Sequence, residues 1–164
     1  MRFRYIAGAL VIALLLVGAA GCSSQPTTSP DQATQPAGGA QGATDQADKL
    51  VGVTWSCYEF KVAGAPQTVP EDTPITAEFG ADGTLSGKSG VNTYNTTYTT
   101  DADSMTIGPD IATTKMAGPE AAMTMESNYL TTLPTTVRYN IVENGDLVLL
   151  DAADAAVARY RPGQ

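Results

Sequence analysis

The sequence predicts an α+β fold for residues 50–164: a compact, antiparallel, β-rich curved sheet or partial barrel packed against one helix. Three observations carry this reading. From Leu50 onward, apolar and polar residues alternate over several short runs, the mark of half-buried strands. Asp82-Gly83 and Asn144-Gly145 stand between such runs, and both pairs favour the tight turns of hairpins. Between Pro119 and Pro134 the apolar spacing becomes helical. Many short antiparallel strands with one helix suit a single packed core.

The elements follow in chain order. Leu50–Val62 (LVGVTWSCYEFKV) is the first strand, with Trp55 and Cys57 on its inward face. In ITAEFG, Ile75, Ala77 and Phe79 alternate with Thr76 and Glu78. Asp82-Gly83 turns the chain into TLSG. TYNTTYTT and SMTIG continue the sheet, with Met105 and Ile107 on one face. DIATTKMA, residues 110–117, is read as extended because β-branched residues cluster there. Gly118-Pro119-Glu120 starts the helix, since proline fits the first helical position and an acid suits the first turn. Ala122, Met125, Tyr129 and Leu133 form its apolar face, and Pro134 stops it. Val137, Tyr139 and Ile141 alternate, Asn144-Gly145 turns, Leu147 and Leu149 return, and AAVARYRP is the closing strand. Trp55, Phe79, Tyr129 and Leu149 are the predicted core residues.

The first residues have a different character. Arg2 and Arg4 precede an apolar run from Ile6 to Val17, too short for a comfortable membrane span, and small residues lead to Ala19-Ala20-Gly21-Cys22. This reads as a secretory signal over residues 1–21. Its end resembles a bacterial lipobox, in which the cysteine after the cut carries acyl chains; Cys22 is then the lipid-attachment residue. An ordinary cleaved signal or an uncleaved anchor helix is the alternative. Residues 22–49 hold almost no large apolar side chain, so they cannot offset the entropy of ordering and are expected to be a disordered, lipidated tether. The domain would thus sit outside the cytoplasm on a membrane-anchored leash in the cell envelope.

Composition narrows the chemistry. The chain carries 9 basic and 17 acidic residues, a net charge of −8, and removal of Arg2 and Arg4 makes the remainder more acidic still. Nucleic acid is a poor partner for such a surface. Histidine is absent, which removes Ser–His and Cys–His catalysis and the common zinc sites. No cofactor or metal ligand set is indicated. TDADS, with Asp101 and Asp103, has methionine where a calcium loop wants its third oxygen ligand. Cys57 is the one thiol besides Cys22 and is read as a buried core residue. Gly87-Lys88-Ser89 ends like a phosphate-binding loop, but its upstream glycine is one position late, and the residues after it favour strand over helix.

Taken together, GVTWSC, ITAEFGADGTLSGKSGVNTYNTTY, MTIGPDIATTKMAGPE, ESNYLTTL and the terminal LVLLD and ARY resemble the META domain family, that of the HslJ-like heat-shock lipoproteins. The carrying residues are Ser86-Gly87, Gly90, Asn92, Tyr94, Ile107-Gly108, Thr114, Met116-Ala117, Glu126 and Tyr129-Leu130. In that resemblance Gly87 and Gly90 belong to a strand–turn segment. The family commonly has cysteines where this chain has Val91 and Gly118. If those cysteines pair in the family, both are lost here together, and the two positions should be neighbours.

The function the resemblance implies is that of a non-catalytic, lipid-anchored envelope protein, in stress protection or in binding a partner protein or an apolar ligand. The alternative is a hydrolase working with two carboxylates at a set separation. Glu59, Glu71, Asp72, Glu78, Asp110 and Glu126 are the acids available to it.

Overall fold

A computed structural model describes residues 46–163. The signal, Cys22 and most of the tether lie outside them. Residues 46–50 form a helical turn, so the end of the segment assigned to the tether is already folded. Gln46 is held there: its Oε1 accepts from the Ile141 N–H and its Nε2 donates to Asn140 Oδ1. Leu50 closes the turn inside the core, and the first strand starts later than expected, at Thr54.

Ten strands follow: β1 (Thr54–Val62), β2 (Ala65–Thr68), β3 (Ile75–Phe79), β4 (Thr84–Lys88), β5 (Thr93–Asp101), β6 (Ser104–Ile107), β7 (Ala112–Thr113), β8 (Arg138–Ile141), β9 (Leu147–Leu150) and β10 (Ala156–Pro162). Helix α1 (Glu120–Thr132) and a 3₁₀ turn (Leu133–Thr135) lie between β7 and β8. The sheet order is β10-β9-β8-β6-β5-β4-β3-β1-β2, and β10 also pairs with β1. That last pairing closes an eight-stranded barrel, where the sequence predicted a partial one. Closure was hidden because β1 serves three neighbours: β3 along Thr54–Cys57, β10 along Trp55–Phe60, and β2 along Glu59–Val62. Alternation in one strand shows which face is inward but not how many partners it has. A bulge between Cys57 and Glu59, and another between Ala156 and Ala158, give β1 and β10 the bend that closure needs.

An eight-stranded barrel encloses a space just wide enough for side chains to fill. Here Trp55, Phe60, Ile75, Phe79, Leu85, Tyr94, Tyr98, Met105, Ile107, Tyr139, Leu147, Leu149 and Tyr160 are all buried. Phe79 and Tyr98 meet edge to face at 5.0 Å. The four residues predicted for the core are buried, Leu149 and Phe79 completely. Leu149→Ala is expected to lower unfolding stability by about 3 kcal/mol, the usual outcome for a packed leucine. Urea denaturation at constant m-value measures it, and a loss below about 0.5 kcal/mol would contradict this packing.

Two local expectations need correction. In DIATTKMA only Ala112 and Thr113 form a strand, paired with Asn95 and Tyr94, and residues 114–117 have no regular secondary structure. Val137, expected inward with Tyr139, is 40 % exposed. It lies one residue before β8, at the rim, so the alternating pattern runs past the end of the packed wall. The seam at this rim is thin: β6 and β8 share the pair Ser104–Arg138, flanked by Met105 N–H to Val137 O and Tyr139 N–H to Asp103 O. The Arg138 guanidinium reinforces it, donating to Asp103 Oδ2 and Asp154 Oδ1 on two neighbouring turns.

Candidate functional site at the helix–barrel junction

The glycines after β3 shape the junction. Gly87 has no room for a Cβ, which would strike the Thr76 carbonyl of the neighbouring strand, and Gly90 bends the chain with φ of +115°. No helix follows Ser89, so the phosphate-loop likeness ends there. The bend brings Ser89 and Asn92, both buried, to face α1.

Glu126 of α1 is buried opposite them. Its Oε2 accepts from Ser89 Oγ and from the Asn92 N–H, each at 2.8 Å, and its Oε1 accepts from Asn92 Nδ2, also at 2.8 Å. Asn92 passes the linkage on. Its Oδ1 accepts from Thr114 Oγ1 at 2.8 Å and from the Met116 N–H at 2.7 Å, while its Nδ2 also donates to the Met116 carbonyl. One carboxyl group and one amide thus hold together the bend after β4, the segment after β7, and the helix. Helix α1 has no side-chain cap at its start, where Pro119 stands as the N-cap residue rather than the first helical one.

Deeper in, three tyrosines from different elements share their hydroxyls. Tyr94 donates to the Thr76 carbonyl at 3.0 Å, Tyr94 and Tyr129 hydroxyls are 3.1 Å apart, and Tyr129 and Tyr160 hydroxyls 2.9 Å apart. Each hydroxyl has one proton, so a single direction satisfies every contact: Tyr160 donates to Tyr129, Tyr129 to Tyr94, and Tyr94 to the backbone. Burial pushes all three phenols above their ordinary ionisation range. Phe60 packs edge-on against Tyr129 at 5.6 Å. Because Tyr129 reaches β1, β5 and β10 at once, α1 lies across one end of the barrel.

The expected neighbours are neighbours. A Cβ built on Gly118 would stand 3.3 Å from Val91 Cβ, close to the separation a disulfide needs, and Gly118 is not among the residues with positive φ. The double change Val91→Cys and Gly118→Cys is expected to form a bridge on oxidation. Closing a loop of about 28 residues should stabilise the domain by at most about 3.5 kcal/mol. Melting temperatures with and without reductant check it, and no reductant-sensitive difference would refute it.

The acids considered for hydrolysis are scattered in role. Glu126 is committed to Ser89 and Asn92. Glu59 pairs with Arg159 at 3.3 Å. Glu71, Asp72, Glu78 and Asp110 are exposed. Asp103 is bound by Arg138, which holds its carboxyl below the usual range, and Asp101 is exposed. No cluster of three potential metal-ligating His, Cys, Asp or Glu residues occurs among the described residues. Cys57 is buried, and burial pushes its thiol up to about 12. Among the described residues, two clefts lie beside β1. One, of about 170 Å³, lies between Glu59–Lys61, Pro66 and Ala156–Arg159. The other, of about 270 Å³, lies under Val69–Glu71 beside Cys57, Ile75 and Arg161. Each of these clefts is lined by a single carboxylate.

Sequence reading named Glu126 among the acids available to a hydrolase and among the residues that carry the family resemblance, but did not foresee its burial. A signal was present: Glu126 follows Met125 and precedes Tyr129 by three, on the flank of the apolar face.

The fold and junction define a small, side-chain-filled β-barrel closed at one end by a helix that a buried glutamate fastens. The chain belongs to the META domain family, whose model matches residues 48–164. It is similar in fold to a protein from Burkholderia xenovorans solved by NMR, at 21% identity and a TM-score of 0.59, covering 85% of this chain and 99% of that one. Comparison with curated proteins finds no match.

Proposed function

We propose that the protein is a non-catalytic, lipid-anchored module of the cell envelope, which holds a rigid barrel outside the cytoplasm and offers its surface to an envelope protein. The observation that favours a surface partner over an enclosed apolar ligand is the filled interior. Tyr129, Tyr139, Tyr160, Phe60 and Phe79 occupy the space in which a ligand-carrying barrel keeps its cavity. Anchoring rests on the basic and apolar start and on Ala19-Ala20-Gly21-Cys22. A role in protecting the envelope under stress follows from the likeness to heat-shock lipoproteins.

Native mass spectrometry of the full chain, extracted from a bacterial membrane in detergent, tests both parts. The expected result is a mass increase from acyl chains on Cys22, absent in Cys22→Ala, with a co-purifying protein and no bound lipid beyond the anchor. A water-soluble, unacylated protein would refute the anchor, and a stoichiometric apolar ligand would refute the solid-barrel reading.

A further inference from the structure

The methionines stand in sharply different places. Met105 is 1 % exposed inside the barrel and Met125 is 8 % exposed on the inward face of α1. Met123 is half-buried. Met116 is 53 % exposed, yet its backbone is among the most firmly held in the segment, gripped on both N–H and carbonyl by the buried side chain of Asn92. A loose loop that happened to expose a methionine would not be tied at that residue. Here the chain is fixed and the thioether projects outward.

We propose that Met116 is an oxidation site for peroxides, a side chain that reacts ahead of the other described sulfurs and does so without loss of the fold. The thioether lone pair attacks one peroxide oxygen. A sulfur–oxygen bond forms and the oxygen–oxygen bond breaks. Sulfur gives up two electrons, and the other oxygen takes the displaced proton and leaves as water, or as an alcohol from an organic peroxide. The polar sulfoxide would disrupt a core, but at Met116 it remains in solvent, and the Asn92 bonds go to backbone atoms that the reaction does not touch. The exposed sulfoxide is also within reach of reductases that restore methionine. Cys57 does not compete, since it is buried and keeps its proton at neutral pH.

Timed exposure of the full chain to hydrogen peroxide, with peptide mapping by mass spectrometry, tests this. Met116 should gain one oxygen at least about tenfold faster than Met105 or Met125, with Met123 between them, as exposure dictates. Met116→Leu should remove the fast phase, and the protein oxidised only at Met116 should keep its melting temperature. Comparable rates at Met105, Met125 or Cys57 would overturn the proposal. So would unfolding that accompanies the first oxygen gained at Met116.

Discussion

Raising the pH above about 10 is expected to unfold the domain in one cooperative step. Tyr94, Tyr129 and Tyr160 ionise near 10 when free, and burial holds their folded values above it. Cys57 is likewise raised, from 9.0 to about 12. A group whose folded value is raised contributes stability that is complete below its unfolded value. That stability is lost as pH climbs from the unfolded value toward the folded one, because only the unfolded chain gives up the proton. Each such group subtracts about 1.4 kcal/mol per pH unit once its unfolded form is ionised. Four together approach about 5 kcal/mol per unit, against a total stability of about 5–15 kcal/mol for a domain of this kind. The relay adds to the loss, since ionising Tyr94 strips the Thr76 carbonyl of its donor, and ionising Tyr129 or Tyr160 removes the proton that the next hydroxyl in the chain accepts. Circular dichroism and phenolate absorbance, followed across the titration, should change together. Ionisation of all the tyrosines near pH 10 with the barrel intact would show that the hydroxyls reach water.

The second large effect is expected at Glu126. Glu126→Ala removes the acceptor for Ser89 Oγ, Asn92 N–H and Asn92 Nδ2 at once, all buried. Ser89 Oγ can still donate to the Asn92 carbonyl at 3.0 Å, so two donors are stranded, and at about 1–3 kcal/mol for each the loss should be about 2–6 kcal/mol. Glu126→Gln should lose less. Its remaining oxygen can serve Ser89 and the Asn92 backbone, but its amide would face the Asn92 amide, donor against donor. Asn92 cannot flip to help, because its Oδ1 is held by Thr114 and Met116. Chemical denaturation of both variants should give the order wild type, Gln, Ala. Equal stability of all three would mean that the junction is not fastened through this carboxyl group.

What the sequence made legible follows its periodicity. Ile75, Ala77 and Phe79, Met105 and Ile107, and Leu147 and Leu149 alternate, and each pair or triplet is buried as read. Asp82-Gly83 and Asn144-Gly145 turn the chain, with positive φ at both glycines. The helix face from Ala122 to Leu133 was equally readable. Closure was not, because the pairing of β1 with β10 joins residues far apart, and no local pattern encodes a distant partner. The burial of Glu126 was not foreseen for a related reason. Its burial is offset by donors from Ser89 and Asn92, which only the Gly90 bend brings near. The family resemblance did supply the relation of Val91 to Gly118, which periodicity could not.

The pairing of β1 with β10 also decides when the barrel can exist. Trp55 lies against Pro162, and the Gly163 N–H reaches the Thr54 carbonyl, so the wall is completed by the residues of β10, the last strand of the barrel in chain order. A chain still missing them has two open strand edges, β1 and β9, and lacks Tyr160, the donor that begins the tyrosine relay. Contacts about a hundred residues apart must form before the core is sealed, which places folding in the slow, topology-limited regime of milliseconds to seconds. The growing domain therefore remains an open, threadable polymer until β10 is free to pair with β1.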